Sequence, residues 1–351
     1  MRQLLWLVPL FLVPLVLADD AKDAKLIVKP DAFQTLVNPQ CSHCKDEAKR
    51  RANELREDDR VLCWTRGYSD GGAIPMRFFL SPYRVISDSY GVFVYDPDAG
   101  YARGYAPSYN FRFQGWRNGV MVMKHKDGTL YSCLTGQAID GPKKGTRLKV
   151  IPTLISDWGF WLGHYPNAVA YHMFDKYKPV ELPKTTNEDS RGSRGKSDSR
   201  LSDDAMVLGV WTGKTARAYP LDEALAGNGL IEDKIDDQRC YVFWEPKTRT
   251  AAAYLPEASP PRKYHGPTPN ADGEAPPEKE PEGPKKTVTL HLDGKNPAAP
   301  FVDKETGSRW DIAGRAVEGE LKGWTLTWLD STQVKWFAWA AEYPETTIYR
   351  K

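Results

Sequence analysis

Two cysteines separated by two residues, Cys41 and Cys44, carry the clearest chemical signal in the sequence. The residues that follow them repeat apolar side chains with a helical period, which predicts a helix over 42–57. A thiol at the start of a helix lies at the positive end of the helix dipole, which stabilises the thiolate and lowers its pKa. This arrangement is typical of thiol–disulfide exchange, with Cys41 as the attacking thiol and Cys44 as the resolving thiol.

Two other interpretations of the same pair stay open. The cysteines can form a local structural disulfide, or they can bind a metal ion together with His43. Zinc needs about four ligands, and the sequence has no second Cys-x-x-Cys pair and no His-x-x-x-His pair to complete the set. Covalent haem attachment is excluded, because it requires a histidine where this chain has Lys45. We therefore expect no cofactor, with a metal ion as the alternative.

The remaining three cysteines lie in strand-like sequence. They are Cys63, Cys133 and Cys240, each next to apolar or aromatic residues. A free thiol in such a setting behaves as a small hydrophobic side chain. We therefore predict that all three are buried and unreactive.

Two pairs of tryptophans are candidates for ligand binding. Trp158 and Trp161, and likewise Trp336 and Trp339, are three residues apart and share one face of a short predicted helix. The favoured interpretation is that each pair packs in a hydrophobic core. The alternative is an aromatic platform for a sugar or peptidoglycan ligand, because tryptophan rings combine a large apolar face with a polar N–H group.

A repeat connects the middle of the chain to its end. One constant offset (314 − 136 = 178) superimposes Gly136 on Gly314 and carries the first tryptophan pair onto the second. The same offset keeps Tyr165-Pro166 in register with Tyr343-Pro344. An internal repeat of this length predicts two similar folded units. His164 is a further site candidate, because the second copy has no histidine at the equivalent position.

The glycine loops of the repeat do not predict phosphate binding, because the context of a P-loop is missing. Asp140 and Glu318 occupy equivalent places in these loops, where a carboxylate pair could act as acid and base in a hydrolase. Exposed turn residues explain them as well, and this interpretation is favoured. We therefore expect no enzymatic activity.

The repeated motif resembles the bacterial family called domain-of-unknown-function 3179. The family pattern is a Leu-Thr-Gly-x-Ala-Ile-x-Gly loop followed by a Trp-x-x-Trp helix and a proline, here from Leu134 to Pro166 and, more divergently, from Gly314 to Pro344. Members typically carry a Cys-Pro-x-Cys motif, at which this chain has Asp96-Pro97-Asp98 and, in the second copy, Glu245-Pro246-Lys247. The resemblance implies two divergent tandem copies that have lost the family cysteines and their metal or redox chemistry.

The N-terminus predicts export. Arg2 precedes an apolar run from Leu4 to Leu17, which indicates a cleaved secretory signal peptide over residues 1–18. The run is shorter than the roughly 20 residues of a membrane-spanning helix, so we expect no transmembrane span after cleavage. These features favour the periplasm or cell envelope of a bacterium.

Changes in composition along the sequence divide the chain after residue 18 into units. The predicted units are an N-terminal Cys-x-x-Cys segment over 19–59, a first β-rich module over 60–182, a disordered linker over 183–204, and a second β-rich module over 205–351 with a disordered insertion over 255–286. The linker has almost no apolar side chains, and the insertion is rich in proline and charged residues. Both compositions are typical of disorder.

The expected fold is mainly β (α+β), with two similar β-rich modules that are each closed by a short tryptophan-containing helix. The net charge of +2 comes from mixed charges and predicts no nucleic-acid partner. We expect an exported, non-enzymatic binding or assembly module with a local disulfide, whose partner is an envelope protein or a polysaccharide. A thiol-redox or metal-handling protein is the alternative, and a carbohydrate-binding or carbohydrate-hydrolysing protein is the weaker one.

Overall fold

The computed structural model describes residues 25–50, 54–66, 70–79, 83–171, 188–221, 229–261, 269–276 and 283–350. The predicted signal peptide, residues 1–18, lies outside these residues. Strands make up 46% and helices 11% of the structure, which confirms the mainly-β class. In the described part, no helix combines the length and the hydropathy needed to cross a lipid bilayer.

The first half of the chain, residues 25–171, consists mainly of short strands. Its described elements are β1 (Ile27–Val28), β2 (Gln34–Val37), β3 (Cys41–His43), α1 (Cys44–Arg50), β4 (Arg60–Arg66), β5 (Asp70–Pro75), β6 (Tyr83–Ser87), β7 (Val92–Asp96), β8 (Tyr101–Tyr105), β9 (Phe111–Arg117), β10 (Val120–His125), β11 (Leu130–Ser132), β12 (Ala138–Asp140), β13 (Val150–Ile151), β14 (Thr153–Asp157), α2 (Trp158–His164) and β15 (Val169–Tyr171). Single turns of 3-10 helix lie at Pro30–Ala32 and Met76–Phe78.

The second half, residues 188–350, has a similar composition of elements. They are α3 (Glu188–Gly192), β16 (Met206–Trp211), β17 (Ala216–Pro220), β18 (Leu230–Ile235), β19 (Gln238–Glu245), β20 (Thr250–Ser259), β21 (Lys286–Thr287), β22 (Leu290–Leu292), β23 (Phe301–Asp303), β24 (Arg309–Trp310), β25 (Ala316–Glu318), β26 (Thr325–Leu329), β27 (Ser331–Lys335), α4 (Trp336–Glu342) and β28 (Thr347–Ile348).

The described strands form three sheets in each half. In the first half the strand orders are β14-β4-β5-β15-β3, β13-β8-β7-β6-β2 and β1-β9-β10-β11-β12. In the second half they are β27-β16-β17-β28, then β18-β19-β20-β21 with β26 also paired to β20, and β22-β23-β24-β25. Most neighbouring strands are antiparallel, but β15 pairs in parallel with β5, β2 with β6, and β28 with β17.

The sheet that contains β7 separates two hydrophobic cores. Along β7, Val92 and Val94 face one core, whereas Phe93 and Tyr95 face another. Successive side chains of a strand point to opposite faces, so a strand that is buried on both sides reads as a continuous apolar run. This explains why all five residues of β7 are buried.

Two hydrophobic cores of the described structure are built from both halves of the chain. In the first shared core, Trp336 and Trp339 of α4 pack with first-half residues that include Phe113 and Trp116. In the second shared core, Trp158 and Trp161 of α2 pack with second-half residues of β19, β20, β23 and β24. Two other cores each lie within one half. The two halves therefore do not have fully separate interiors.

Close backbone packing seats the helix of the second half. A Cβ atom placed on Gly209 of β16 would lie 2.3 Å from the ring of Trp339. This distance is far below van der Waals contact, so only glycine allows the tryptophan to lie flat against the strand.

The prediction of disorder over 183–204 is wrong for residues 188–204. Residues 188–192 form α3, and Ser190 and Ser193 are fully buried. The Ser190 hydroxyl donates to the Gly119 carbonyl at 3.0 Å, and the Ser193 hydroxyl accepts from the Gly119 N–H at 3.0 Å. Small polar side chains can be buried at low cost once they are hydrogen-bonded, which composition does not reveal.

The predicted insertion over 255–286 is also partly ordered. Residues 255–259 belong to β20, and residues 269–276, called the strap below, contact the first half. Residues 262–268 and 277–282 of the insertion, and residues 183–187 of the predicted linker, lie outside the described residues.

Candidate functional site

The Cys-x-x-Cys pair is divided between a strand and a helix. Cys41 lies in β3, where it pairs with Tyr171 of β15, and Cys44 is the first residue of α1. The Cys44 N–H donates to the Ala168 carbonyl at 2.7 Å. The predicted helix over 42–57 is therefore too long at both ends: the described helix α1 is Cys44–Arg50, residues 51–53 lie outside the described residues, and residues 54–57 are not helical. Pairing with β15, a distant part of the sequence, draws Cys41 into a sheet.

The two thiols have different surroundings and are not bonded to each other. Cys41 is exposed and Cys44 is fully buried, and both are free cysteines. The Cys44 thiol donates to the Val169 carbonyl at 3.6 Å. The expected local disulfide is thus absent from this structure, because Cys44 faces the second shared core while Cys41 lies at the surface.

The pKa values of both thiols are opposite to the prediction. Burial raises the pKa of the Cys44 thiol to about 12, and the nearby carboxylate of Glu47 adds to this effect. Partial burial also raises the pKa of Cys41. The helix dipole does not reverse this trend, since α1 is short and desolvation disfavours the thiolate. The raised pKa values therefore do not favour the reactive thiolate that the spacing predicts. Cys63, Cys133 and Cys240 are buried and free, as predicted.

The proposed metal ligands do not converge. The His43 ring contacts the Asn167 carbonyl through Nδ1 at 2.8 Å, so this nitrogen is used as a donor. Among the described residues, no group of three or more His, Cys, Asp or Glu side chains has an arrangement that could hold a metal ion. Cys41, Cys44 and His43 thus lack the further ligands that a closed zinc site needs.

All four candidate tryptophans are buried. Trp161 and Trp336 are fully buried, while Trp158 and Trp339 are each 3% exposed. They therefore form core contacts and do not present a ring face to a ligand. His164 is half-buried and stacks on Phe160 with 4.1 Å between ring centroids, and its Nδ1 contacts the Phe160 carbonyl at 2.7 Å. The structure brings Cys44, Trp158 and Trp161 into one core, whereas His43 is exposed.

The turn Asp96-Pro97-Asp98 is buried. The Asp96 carboxylate accepts hydrogen bonds from the N–H groups of Asp98 at 3.0 Å, Ala99 at 3.1 Å and Met121 at 3.3 Å. Burial raises the pKa of Asp96 to about 6, and the neighbouring charge of Asp98 contributes in the same direction. The carboxylate therefore ties the β7–β8 turn to β10 and has no open face toward solvent.

The buried Asp96 carboxyl should make stability depend on pH. Its pKa is about 6 in the folded protein and near 3.8 in the unfolded chain, a difference that corresponds to about 3 kcal/mol. The contribution is complete below about pH 4 and is lost as the pH rises through 6, because the folded state then has to hold a buried charge. We expect Asp96→Asn to remove this decline when urea unfolding is measured from about pH 4 to 7.

A matched change at an exposed carboxyl tests this assignment. Asp140→Asn alters the exposed carboxyl at the end of β12 in the same half and should keep the wild-type slope of unfolding free energy against pH. Equal slopes for Asp96→Asn and the wild type would contradict the role given to Asp96.

Two polar clusters join the halves. In one, Asp330 accepts from Arg103 at 2.7 Å and from Arg147 at 3.1 Å, and Arg147 also donates to the Tyr343 hydroxyl at 2.7 Å. Arg103 is fully buried, so its charge depends on this carboxylate. The guanidinium of Arg147 lies 5.3 Å from the centre of the Trp211 ring, close enough for a cation–π contact.

The second cluster has the same residue types. The Tyr165 hydroxyl donates to the Asp311 carboxylate at 3.0 Å, and Arg315 lies 4.3 Å above the Tyr165 ring. Arg315 also approaches Asp311 at 3.5 Å. Burial raises the pKa of Asp311, while the charge of Arg315 opposes that shift. In both clusters a tyrosine of one half contacts an arginine of the other half.

An open cleft lies beside the 3-10 helix Pro30–Ala32, on the surface formed by β9 and β10. Its volume is about 480 Å³, within the usual range of ligand clefts. The lining includes the cations Arg112, Lys124 and Lys126 and a single carboxylate, Asp31. No sequence motif marked this cleft. The available signal was the closeness in sequence of Lys124, near the end of β10, and Lys126, in the turn that follows.

Comparison with known proteins adds a family but no activity. No curated protein matches the chain, and no solved structure matches it. The family model described as protein of unknown function (DUF3179) matches residues 107–346 in one stretch, which starts after the Asp96-Pro97-Asp98 turn. Since the match covers more than half of the chain, the protein belongs to the domain-of-unknown-function 3179 family.

Proposed function

We propose that the two halves arose by internal duplication and now act as one unit. The constant offset of the repeat carries α2 onto α4 (336 − 158 = 178), β12 onto β25 and β14 onto β27. The strand order β14-β4-β5-β15 has the counterpart β27-β16-β17-β28, including the parallel final pair. Gly136 and Gly314 have the same φ of 72°, and Gly141 and Gly319 share a φ of 91°.

The arginines of the two joining clusters support the same origin. Gln137 and Arg147 form an isolated antiparallel β-bridge in the first half. Arg315 and Thr325 form the equivalent β-bridge in the second half. The offset of 178 residues places Gln137 on Arg315 and Arg147 on Thr325. The arginine is therefore the second residue of the bridge in the first half and the first residue in the second half. Each half thus supplies one arginine to the tyrosine of the other half, by different routes.

The function that this geometry supports is a non-enzymatic binding or assembly module of the bacterial envelope. The observation that carries the proposal is that the predicted thiol and tryptophan sites are largely buried, whereas the cleft beside β9 and β10 is open. Four of the five thiols are buried, the pKa values of Cys41 and Cys44 are raised, and the tryptophans fill cores. The cationic cleft, by contrast, is open. Export is proposed from the N-terminal sequence.

Thiol chemistry should be dispensable for this function. A pKa of about 12, against 9.0 for an ordinary thiol, lowers the thiolate fraction of Cys44 about 1,000-fold at neutral pH. We therefore expect iodoacetamide to modify Cys41 before Cys44 in the folded protein, as followed by mass spectrometry. The double variant Cys41→Ser, Cys44→Ala should bind isolated envelope fractions as well as the wild type does.

The alternative redox function makes the opposite prediction. If the folded double variant lost envelope binding, or if Cys44 were alkylated as fast as Cys41, thiol exchange would be part of the function. A single Cys240→Ala variant is the control for changing a buried thiol elsewhere. A wild-type protein that bound no envelope fraction would contradict the binding role itself.

A further inference from the structure

Like charges lie opposite each other on the floor of the cleft. Arg112 of β9 and Lys124 of β10 are directly paired across the antiparallel strands. Side chains at such positions project from the same face only a few ångströms apart, and like charges there destabilise the sheet. Lys126 adds a third cation to the same surface. This arrangement favours an anionic group between the cations.

The described part of the chain does not supply that group. None of Arg112, Lys124 and Lys126 forms an ion pair with a described carboxylate, although Arg112 donates to the Tyr109 and Phe111 carbonyls. The cations of the cleft therefore have no neutralising partner among the described side chains.

Several basic side chains outside the cleft are paired with carboxylates. Lys143 contacts Asp127 at 3.2 Å, and Lys335 contacts Asp204 at 2.9 Å. The three cations of the cleft differ from these lysines, because none of them has such a contact with a described carboxylate.

The strap shows what kind of group this surface accepts. The Glu274 carboxylate contacts His125 Nε2 at 2.5 Å and accepts from the Asn110 amide at 2.8 Å. Asn110 and Lys126 both donate to the Asp272 carbonyl, Asn110 at 2.8 Å. Asn110, His125 and Lys126 also line the cleft. An acidic peptide segment is thus already held at its edge.

We propose that the cleft binds an acidic peptide segment of a partner protein, an inference that rests on the binding role proposed above. The segment continues the surface that the strap occupies, and its carboxylates lie between Arg112, Lys124 and Lys126. Basic side chains that converge on one groove are a recurrent means of recognising acidic motifs. Amide side chains of Asn110 and Gln114 line the same cleft and can contact the peptide backbone.

Titration with a defined acidic peptide tests the proposal. The full-length protein is mixed with fluorescein-labelled hexaglutamate, and binding is followed by fluorescence anisotropy. We expect hexaglutamate to bind, labelled hexaglutamine not to bind, and affinity to fall several-fold when NaCl is raised from about 50 to about 300 mM. Lys124→Gln with Arg112→Gln should weaken binding about 5- to 10-fold.

Two further variants keep the test independent of folding. Lys124→Gln alone removes a side chain that has no hydrogen bond or ion pair with the described residues, and it should weaken binding about 2- to 3-fold. Lys144→Gln removes an exposed charge from a turn outside the cleft and should leave binding unchanged. An equal loss in Lys144→Gln, or full affinity in the double variant, would overturn the site.

The remaining outcomes separate this inference from the general function. Binding of trigalacturonate without binding of hexaglutamate would overturn the peptide assignment in favour of an acidic sugar. Absence of hexaglutamate binding in a protein that still binds envelope fractions would overturn the inference and leave the proposed function standing.

Discussion

Replacing Asp330 by alanine should destabilise the protein by about 3–5 kcal/mol. The substitution leaves the fully buried guanidinium of Arg103 without its carboxylate partner, and it also releases Arg147. An uncompensated charge in the interior costs more than the ion pair contributes, because the desolvation of the remaining ion is no longer offset. Urea unfolding followed by tryptophan fluorescence measures the loss.

Two comparisons identify the cause. Asp204 forms an ion pair with Lys335, and its side chain is 76% exposed. Asp204→Ala should therefore lower the free energy of unfolding by less than about 1 kcal/mol. Adding Arg103→Met to Asp330→Ala removes both charges and should recover part of the stability. If Asp204→Ala and Asp330→Ala had equal effects, the joining cluster would not stabilise the contact between the halves.

Replacing Trp336 by alanine should cost about 3–5 kcal/mol and should loosen the first half of the chain as well as the second. The Trp336 ring is fully buried in the first shared core, and its Nε1 donates to the Asp198 carbonyl at 3.0 Å. That core also contains side chains of β9 and β10. Hydrogen exchange should therefore show reduced amide protection over Phe111–Arg117, which belongs to the other half of the chain.

The equivalent tryptophan provides the matched variant. Trp158→Ala should reduce protection in the second half, over β22 to β25, because Trp158 belongs to the second shared core. Each substitution should thus act across the boundary between the halves. Effects confined to the half that carries the substitution would contradict the shared cores.

The sequence predicted which residues are buried better than it predicted their neighbours. A spacing of three residues indicated that Trp158 and Trp161 share one face of a helix, and both rings are buried. A periodic pattern, however, says that a face is apolar without saying which surface covers it. The packing of α2 with strands of the second half depends on contacts between residues far apart in the sequence, which no local pattern contains.

The candidate site was the least predictable part. The spacing of Cys41 and Cys44 indicated a redox helix, but the pairing of β3 with β15 decided the local structure instead. Arg112 and Lys124 are well separated along the chain, and only the register of β9 and β10 places them side by side. The Cys-x-x-Cys motif therefore does not form an open site, because Cys44 is buried. The open cleft is lined by residues that belong to no recognisable motif.

The interleaving of the chain has a consequence for its synthesis. The first shared core cannot close until α4 has been made, although β9 and β10 leave the ribosome long before it. At a synthesis rate of about 5–20 residues per second, α4 is completed roughly 10–45 seconds after β10. Aromatic side chains such as Trp116 lack their final packing partners during that interval and are accessible to chaperones.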